Sequence, residues 1–249
     1  MPSFRDHFAF AAGSYASFRP SYPDALFQWL ATTTRRRDRA WDCGTGSGQA
    51  AAALAGLYGD VVATDPSLLQ LASAVRVTGV CYAAMTAEAS ALAEGSVDLI
   101  TVAQALHWFD RPHFFEEVDR VLARGGALAV WSYGLLTLGD DVDPVLRHLY
   151  EEVLGPYWPV ERALVDRGYA GVTLPYDEEP SPAFTMEAAW SRGQLLGYLS
   201  TWSAVGRYRA LKGSDPLLEL EPILQAVWGA EEVRHVHWPL TVRVARRMV

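Results

Sequence analysis

This sequence of 249 residues has very little lysine and no excess of positive charge. Lys212 is the only lysine, and 29 acidic residues outnumber 21 basic ones, which gives a formal net charge of −8. Nucleic-acid binding depends on basic surfaces that neutralise phosphates. The charge balance therefore argues against a nucleic-acid partner.

Cysteine and long apolar runs are equally scarce. Cys43 and Cys81 are the only two cysteines, too few for a disulfide framework, and nothing around them indicates a metal site. No run reaches the roughly 18 apolar residues of a membrane span, and residues 1–10 lack the apolar segment of a signal peptide. We therefore expect a cytoplasmic protein with neither a metal nor a membrane partner.

The pattern of the first 133 residues predicts a parallel sheet. Short apolar runs alternate with segments of helical periodicity, which is typical of strands joined by right-handed helical crossovers. Strands are predicted at 40–43, 61–64, 80–83, 97–103 and 127–132, with a turn at Gly125-Gly126 before the last of them.

The pattern changes after Tyr133. Residues 134–213 are mostly helical and rich in aromatic side chains, and another helix is predicted at 217–228. Residues 232–238 and 241–245 then alternate like two strands of a hairpin about Pro239. This order predicts an insertion that interrupts the sheet, which the end of the chain then completes.

The most informative motif lies between the first predicted strand and the helix after it. Residues 42–48 read Asp-Cys-Gly-Thr-Gly-Ser-Gly. Glycines let the backbone turn sharply beside a ligand, and a helix N-terminus offers N–H groups to negative charge. Asp65, at the end of the next predicted strand, is placed to accept both hydroxyls of a ribose. Loop and acid together indicate a cofactor that contains adenosine.

The spacing of the glycines separates two classes of cofactor. A dinucleotide fingerprint needs a glycine at the sixth position from Gly44, where this sequence has Gln49. Asp42, two residues before the first glycine, suits a cationic amine, which S-adenosyl-L-methionine carries and a pyrophosphate cofactor lacks. We therefore expect S-adenosyl-L-methionine; a tight turn that only packs the helix is the alternative.

These residues resemble the first motif and the downstream acid of the class I S-adenosylmethionine-dependent methyltransferases. Further segments are similar to the small-molecule branch that includes the trans-aconitate methyltransferase-like enzymes. They are 15–23, 87–88, 96–100, 104–109, 120–126 and 198–205. The resemblance spans nearly the whole chain and is far more specific for cofactor and reaction than for the methyl acceptor.

The resemblance implies a Rossmann-like, doubly wound α/β fold with a mainly parallel seven-stranded sheet and a C-terminal antiparallel hairpin. An N-terminal helical lid precedes this sheet, and a helical insertion follows its fifth strand. The implied parts are the lid and first helix (1–39), the cofactor-binding core (40–133), the substrate-cap insertion (134–213) and the last helix with the closing hairpin (214–249).

Transferred residue by residue, the resemblance implies cofactor contacts in the loop, after the next strands and in the lid. The residues are Asp42, Gly44, Thr45, Gly46, Gly48, Asp65, Pro66, Thr86, Ala87, Glu88, Gln104, Tyr15 and Arg19. Many relatives have an acid where Thr86 stands, so Glu88 is a second candidate for the amino group of adenine. A Pro-rich lead-in to the first helix is the alternative to a lid.

Acceptor contacts are predicted at His107, Trp108, Tyr22, Trp202 and Arg207. His107 follows the fourth strand, where open parallel sheets bind ligands. It could act as a general base, bind an acidic acceptor when protonated, or only hydrogen-bond nearby backbone. The insertion also offers aromatic and arginine side chains that could line the acceptor pocket or simply be core and surface. They are Trp158, Trp190, Tyr198, Tyr208, Arg192 and Arg209.

The predicted reaction is in-line transfer of a methyl group to a carboxylate or hydroxyl oxygen of a small molecule. Alignment of the reacting atoms can carry such a transfer without an acid and base pair. Two alternatives stay open: a regulatory protein that binds the cofactor without catalysis, and a nicotinamide-dependent oxidoreductase, which Gln49 disfavours. No oligomeric state is predicted.

Overall fold

A mixed sheet organises the chain in the computed structural model, which describes residues 20–248. Its strands are β1 (Arg39–Cys43), β2 (Asp60–Thr64), β3 (Val80–Ala83), β4 (Val97–Ala103), β5 (Leu122–Tyr133), β6 (Glu178–Glu179), β7 (Phe184–Trp190) and β8 (Arg234–Arg246). Its α-helices are α1 (Asp24–Thr32), α2 (Gln49–Leu54), α3 (Leu68–Ser73), α4 (Arg111–Val121), α5 (Asp143–His148), α6 (Arg162–Asp166), α7 (Arg192–Ser200), α8 (Ser203–Lys212) and α9 (Pro216–Trp228). Short 3-10 helices span Leu106–Trp108 and Gly155–Tyr157, and a π-helix spans Leu149–Val153.

The strand order is β3-β2-β1-β4-β5-β8-β6, with β7 also paired to β8. Strands β1 to β5 pair in parallel, whereas β8 is antiparallel to β5, β6 and β7. β6 and β7 lie end to end along the outer edge of β8, with the segment 180–183 between them, so together they take the place of one strand. The predicted fold class, with its seven strand positions and its C-terminal antiparallel pairing, is confirmed.

The turn that was predicted at Pro239 is wrong, because β8 runs through it. His237 exchanges backbone hydrogen bonds with Thr137, so the nitrogen of Pro239, two residues further on, faces the same side of the strand. β5 has already ended there at Tyr133, and the missing N–H of proline therefore costs no ladder hydrogen bond.

The predicted turn at Gly125-Gly126 is also wrong, because both glycines lie within β5. Val97 pairs with Leu122 and Leu99 pairs with Ala127, so extra residues of β5 form an irregularity opposite β4. A Cβ at Gly126 would come within 2.8 Å of the carbonyl oxygen of Asp98. A bulge with this close approach explains the two glycines.

Both faces of the sheet are covered, as the continuous burial of β4 predicts. Alternate residues of β5 enter different clusters: Ala129 and Trp131 pack with α1, α2 and the insertion, whereas Leu128 and Val130 pack with α4 and α6. Within residues 134–213, β6 and β7 join the sheet, so the insertion also forms its edge. The region boundaries stay a prediction. No helix between residues 20 and 248 is long and apolar enough to cross a membrane.

Candidate active site

Three neighbouring parallel strands bring the predicted motifs to one edge of the sheet. β1 pairs with β2 on one side and with β4 on the other. The glycine loop follows β1, Asp65 follows β2, and residues 104–109 follow β4. Because the carboxyl ends of parallel strands meet at one edge, these segments form a common site.

The glycine loop is tightly packed against the segment after β4. Gly44, Gly46 and Gly48 have φ values of 72°, 52° and 80°, in the left-handed region that favours glycine. A Cβ at Gly44 would lie 2.7 Å from Cβ of Ala105 and 3.2 Å from the ring of Phe109. The absence of a side chain at Gly44 thus lets the loop approach the segment that contains His107.

The amides of the glycine loop are less free than we expected for an anion-binding turn. The N–H groups of Gly44 and Thr45 both donate to the carbonyl of Thr64, at 2.9 Å each. The N–H of Gly46 donates to Oδ2 of Asp65 at 2.9 Å. These bonds hold the loop onto the end of β2, because buried amides must find acceptors.

Asp65 connects the two predicted halves of the cofactor site. Its second oxygen, Oδ1, accepts from the N–H of Ser67 at 2.9 Å, and the residue is 9% exposed. The carboxylate therefore stands between the glycine loop and the segment after β2, with its orientation set by two backbone donors. Its contact with a ribose stays a prediction.

Asp42 lies beneath the loop and is 1% exposed. Its Oδ2 accepts from the Thr45 hydroxyl at 2.5 Å and the Ala51 N–H at 3.2 Å, and its Oδ1 accepts from the Thr101 hydroxyl at 2.8 Å. Burial raises the pKa of Asp42 to about 6, against the opposing effect of these hydrogen bonds. Asp42 thus braces the loop, and direct contact with a cofactor amine would require it to exchange partners.

Asp42→Asn is expected to flatten the pH dependence of stability. The folded protein holds the Asp42 proton up to about pH 6, whereas an unfolded chain releases it near 3.8. Loss of the Asp42 proton therefore lowers the free energy of unfolding by up to about 3 kcal/mol as the pH rises from 4 to 6. The Asn variant has no such proton, so this part of the pH dependence is expected to disappear. Urea unfolding at pH 4, 5, 6 and 7 measures it. Asp60→Asn, at a half-exposed site, controls for the change in net charge. If the free energy of unfolding of wild type and Asp42→Asn changed in parallel with pH, the prediction would be contradicted.

An open cleft of about 450 Å³ lies beside the ends of β2 and β3. Its lining is Pro66, Ala84, Met85, Thr86, Ala89, Ser90 and Ala91. The volume falls in the range of small-molecule sites, and the lining includes Pro66 and Thr86, which we predicted as cofactor contacts. Ala87 is 5% exposed, and Oε1 of Glu88 accepts from the N–H of Asp110 at 2.9 Å. The Glu88 carboxylate therefore joins this loop to the segment after β4.

Gln104 has a strained backbone at the end of β4. Its φ is 55°, a conformation that costs a residue other than glycine about 1–3 kcal/mol. The side-chain amide donates to the carbonyl of Tyr133 at 2.9 Å and accepts from its N–H at 3.3 Å. This reciprocal pair compensates the strain and fixes the start of the segment that leads to His107.

His107 is 8% exposed and lies 3.1 Å, through Nδ1, from the hydroxyl of Tyr169. Burial, followed by the charges of Arg162 and Arg111, lowers the pKa of His107 to about 3. Its imidazole is therefore neutral at pH 7. A neutral imidazole disfavours the alternative in which a protonated His107 binds an acidic acceptor, and Tyr169 is a partner that sequence spacing did not reveal.

The other predicted acceptor residues are spread over several elements. The ring of Trp108 lies 4.6 Å from that of His107, whereas Tyr22 packs on Trp131 at 5.4 Å. Arg207 lies on α8, where Nη1 contacts the carbonyl of Tyr157 at 3.5 Å. Tyr15 and Arg19 lie outside the described residues.

Trp202 belongs to a chain of aromatic rings that we call the aromatic cluster. Its members are Tyr150, Trp158, Trp202, Tyr198, Trp190 and Trp238, with successive ring centroids 4.8 to 5.9 Å apart. Of the other candidates in the insertion, Tyr208 pairs with Tyr157 instead, and Arg209 forms an ion pair with Asp215 at 2.7 Å. Arg162, which no motif indicated, stacks on this cluster.

Comparison with known proteins identifies relatives along the whole chain. Residues 41–130 match the model of a family described as a methyltransferase domain. The chain is 33% identical to a protein of Dictyostelium discoideum that is named as a methyltransferase, over 98% of this chain and 96% of that one. It is 42% identical to a protein of solved structure from Anaeromyxobacter dehalogenans, named as a type II methyltransferase, with a TM-score of 0.87 over 92% of this chain and 98% of that one.

A third similarity covers only part of the chain. An uncharacterised methyltransferase of Mycobacterium tuberculosis is 40% identical over 128 residues, which are 50% of this chain and 51% of that protein. The relatives agree on the class of reaction, and none of these names specifies an acceptor. Among residues 20–248, no group of His, Cys, Asp and Glu side chains could hold a metal ion.

Proposed function

This chain belongs to the class I S-adenosylmethionine-dependent methyltransferases, and we propose that it methylates an oxygen atom of a small-molecule acceptor. The observation that carries the proposal is the neutral, buried His107, which follows β4 at the edge of the sheet that holds the candidate site. A pKa of about 3 makes its imidazole a weak base at pH 7. An acceptor oxygen that is already ionised, such as a carboxylate, needs no base, which favours such an acceptor over an amine or a carbon acid.

The residues at the strand ends fit S-adenosyl-L-methionine. The cleft at Pro66 and Thr86 has the size of a small-molecule site, and the Asp65 carboxylate stands between it and the glycine loop. In this proposal Asp65 holds the ribose, and the loop from Gly44 to Gly48 holds the methionine part. When bound, the cofactor supplies a methyl group on a sulfonium, and an oxygen lone pair forms the new C–O bond as the C–S bond breaks.

The chain's own contribution is then alignment and exclusion of water. Gln104, clamped to the backbone of Tyr133, sets the path of residues 104–109. The neutral ring of His107 packs against the ring of Trp108 at this point. An ionised acceptor oxygen that loses its water shell there becomes more reactive toward the methyl carbon.

Transfer of labelled methyl groups tests the proposal. Purified protein, tritium-labelled S-adenosyl-L-methionine and a panel of carboxylic acids, phenols and amines are expected to give labelled product only with oxygen acceptors. The product of a carboxylate acceptor is an ester, which mild alkali cleaves to labelled methanol. The initial rate is expected to vary little from pH 7 to 8, above the pKa of Asp42 at about 6, because neither His107 nor a carboxylate acceptor changes its charge there.

Three outcomes would contradict the proposal. If the labelled methyl group were attached to nitrogen, the acceptor atom would be nitrogen and not oxygen. Tight binding of S-adenosylhomocysteine without transfer to any member of the panel would favour a regulatory protein. NADH binding tighter than S-adenosylhomocysteine in calorimetry would favour an oxidoreductase.

A further inference from the structure

Arg162 is a largely buried cation that is held on one side only. Its Nε donates to the hydroxyl of Tyr150 at 2.7 Å and to Oδ1 of Asp166 at 3.1 Å. The Tyr150 hydroxyl also donates to that oxygen, at 2.5 Å. Among residues 20–248, Arg162 donates no hydrogen bond through Nη1 or Nη2, although its side chain is only 20% exposed. The two Nη atoms are thus left without a protein acceptor on a side chain that is mostly buried.

The rings of the aromatic cluster hold the guanidinium in place. Its Cζ lies 5.1 Å from the ring centroid of Trp158 and 5.5 Å from that of Tyr150. Trp158 in turn contacts Trp202 at 5.5 Å. Cation–π contacts and the Nε hydrogen bonds together remove most of the side chain's freedom, so a ligand would meet a preorganised group.

Arg162 lies close to the predicted acceptor side of the site. Helix α6, which begins at this residue, packs against the 3-10 helix Leu106–Trp108. Its charge is close enough to His107 to disfavour protonation of the imidazole. The cation therefore lies near His107, beyond the carboxyl end of β4.

We propose that Arg162 is a specificity-determining residue that anchors a carboxylate of the methyl acceptor, whose apolar body packs on Trp158 and Trp202. This inference rests on the proposed function and adds a substrate class to it, namely carboxylic acids with an aryl, alkenyl or alkyl body. The two Nη atoms match the two oxygens of a carboxylate in a bidentate pair. The carboxylate is an anchor here, so a ligand can bind without being methylated.

Binding of acids and their neutral amides tests the inference. The protein, saturated with S-adenosylhomocysteine, is titrated by calorimetry with three pairs: phenylacetate and phenylacetamide, cinnamate and cinnamamide, hexanoate and hexanamide. In at least one pair the acid is expected to bind at least about tenfold tighter than the amide. Arg162→Ala is expected to bring the two affinities within about twofold, whereas Arg209→Ala, another insertion arginine in an ion pair, keeps the preference.

Asp166→Asn separates anchoring from a purely structural role. Removing this negative charge strengthens the attraction of Arg162 for an anion, so the acid is expected to bind as tightly or tighter. If Arg162 served only to brace Tyr150 and Asp166, Asp166→Asn and Arg162→Lys would both lower the affinities for acid and amide alike. If Arg162 anchors the carboxylate, Arg162→Lys is expected to keep part of the preference for the acid over the amide. This variant tests the inference even if Arg162→Ala fails to fold.

Two results would overturn the inference: equal affinities for acid and amide in all three pairs, or an unchanged preference in Arg162→Ala. Titration with S-adenosylhomocysteine alone comes first and tests the proposed function. A wild-type protein that binds this cofactor product but shows no preference for acids contradicts the inference about Arg162 and leaves the cofactor assignment intact.

Discussion

Asp65→Ala is expected to weaken binding of S-adenosylhomocysteine by about 100-fold or more. The change removes the carboxylate that we assign to the ribose hydroxyls, and hydrogen bonds to a charged group contribute about 1.5–3 kcal/mol each. It also leaves the N–H groups of Gly46 and Ser67 without their acceptor, so the glycine loop keeps only its two hydrogen bonds to the carbonyl of Thr64 at the end of β2. Calorimetric titration of the variant and the wild type measures the loss.

Two further variants separate ribose binding from support of the loop. Asp65→Asn keeps one acceptor oxygen for a backbone donor but removes the charge, so an intermediate loss of affinity is expected. Asp60→Asn changes a half-exposed carboxylate at the other end of β2, where it pairs with Arg39, and is expected to leave the affinity unchanged. If Asp65→Ala bound S-adenosylhomocysteine like the wild type, the ribose would have to lie elsewhere.

The parallel half of the sheet could be predicted from local patterns. The runs at 80–83 and 97–103 coincide with β3 and β4, and those at 40–43 and 61–64 differ from β1 and β2 by one residue. β4 is buried along almost its whole length and is a largely apolar run, which makes its ends visible in the sequence. The same logic failed at Pro239 and at Gly125-Gly126, because whether a proline or glycine ends a strand depends on the neighbouring strand.

The candidate site was predictable only where one motif carries the chemistry. The loop at 42–48 and Asp65 follow two neighbouring parallel strands, β1 and β2, so their meeting follows from the topology. Tyr169 meets His107 across 62 residues and Gln104 meets Tyr133 across 29, through contacts that no spacing encodes. Arg162 was missed for the same reason: an arginine on a short helix looks like a surface residue until the aromatic cluster is assembled around it.

Gly44→Ala is expected to lower the free energy of unfolding by about 2–5 kcal/mol and to abolish detectable binding of S-adenosylhomocysteine. A φ of 72° costs alanine about 1–3 kcal/mol, and overpacking a buried contact costs a similar amount. The new methyl group would stand 2.7 Å from Cβ of Ala105, which is itself buried. Either the loop or the segment after β4 must move, and both belong to the proposed cofactor site.

Gly56→Ala provides the matched control for Gly44→Ala. Gly56 lies soon after α2, on the same strand-loop-helix unit, and a Cβ there meets nothing within 4 Å. Its φ is not positive, so alanine is expected to be neutral or to stabilise by up to about 1 kcal/mol. Urea unfolding and calorimetry of both variants compare one added methyl group at two places. The chemical change is identical in the two variants. Loss of binding only in Gly44→Ala would therefore show that binding depends on the close packing of the glycine loop against the segment after β4. Equal losses of binding in both variants would contradict this conclusion.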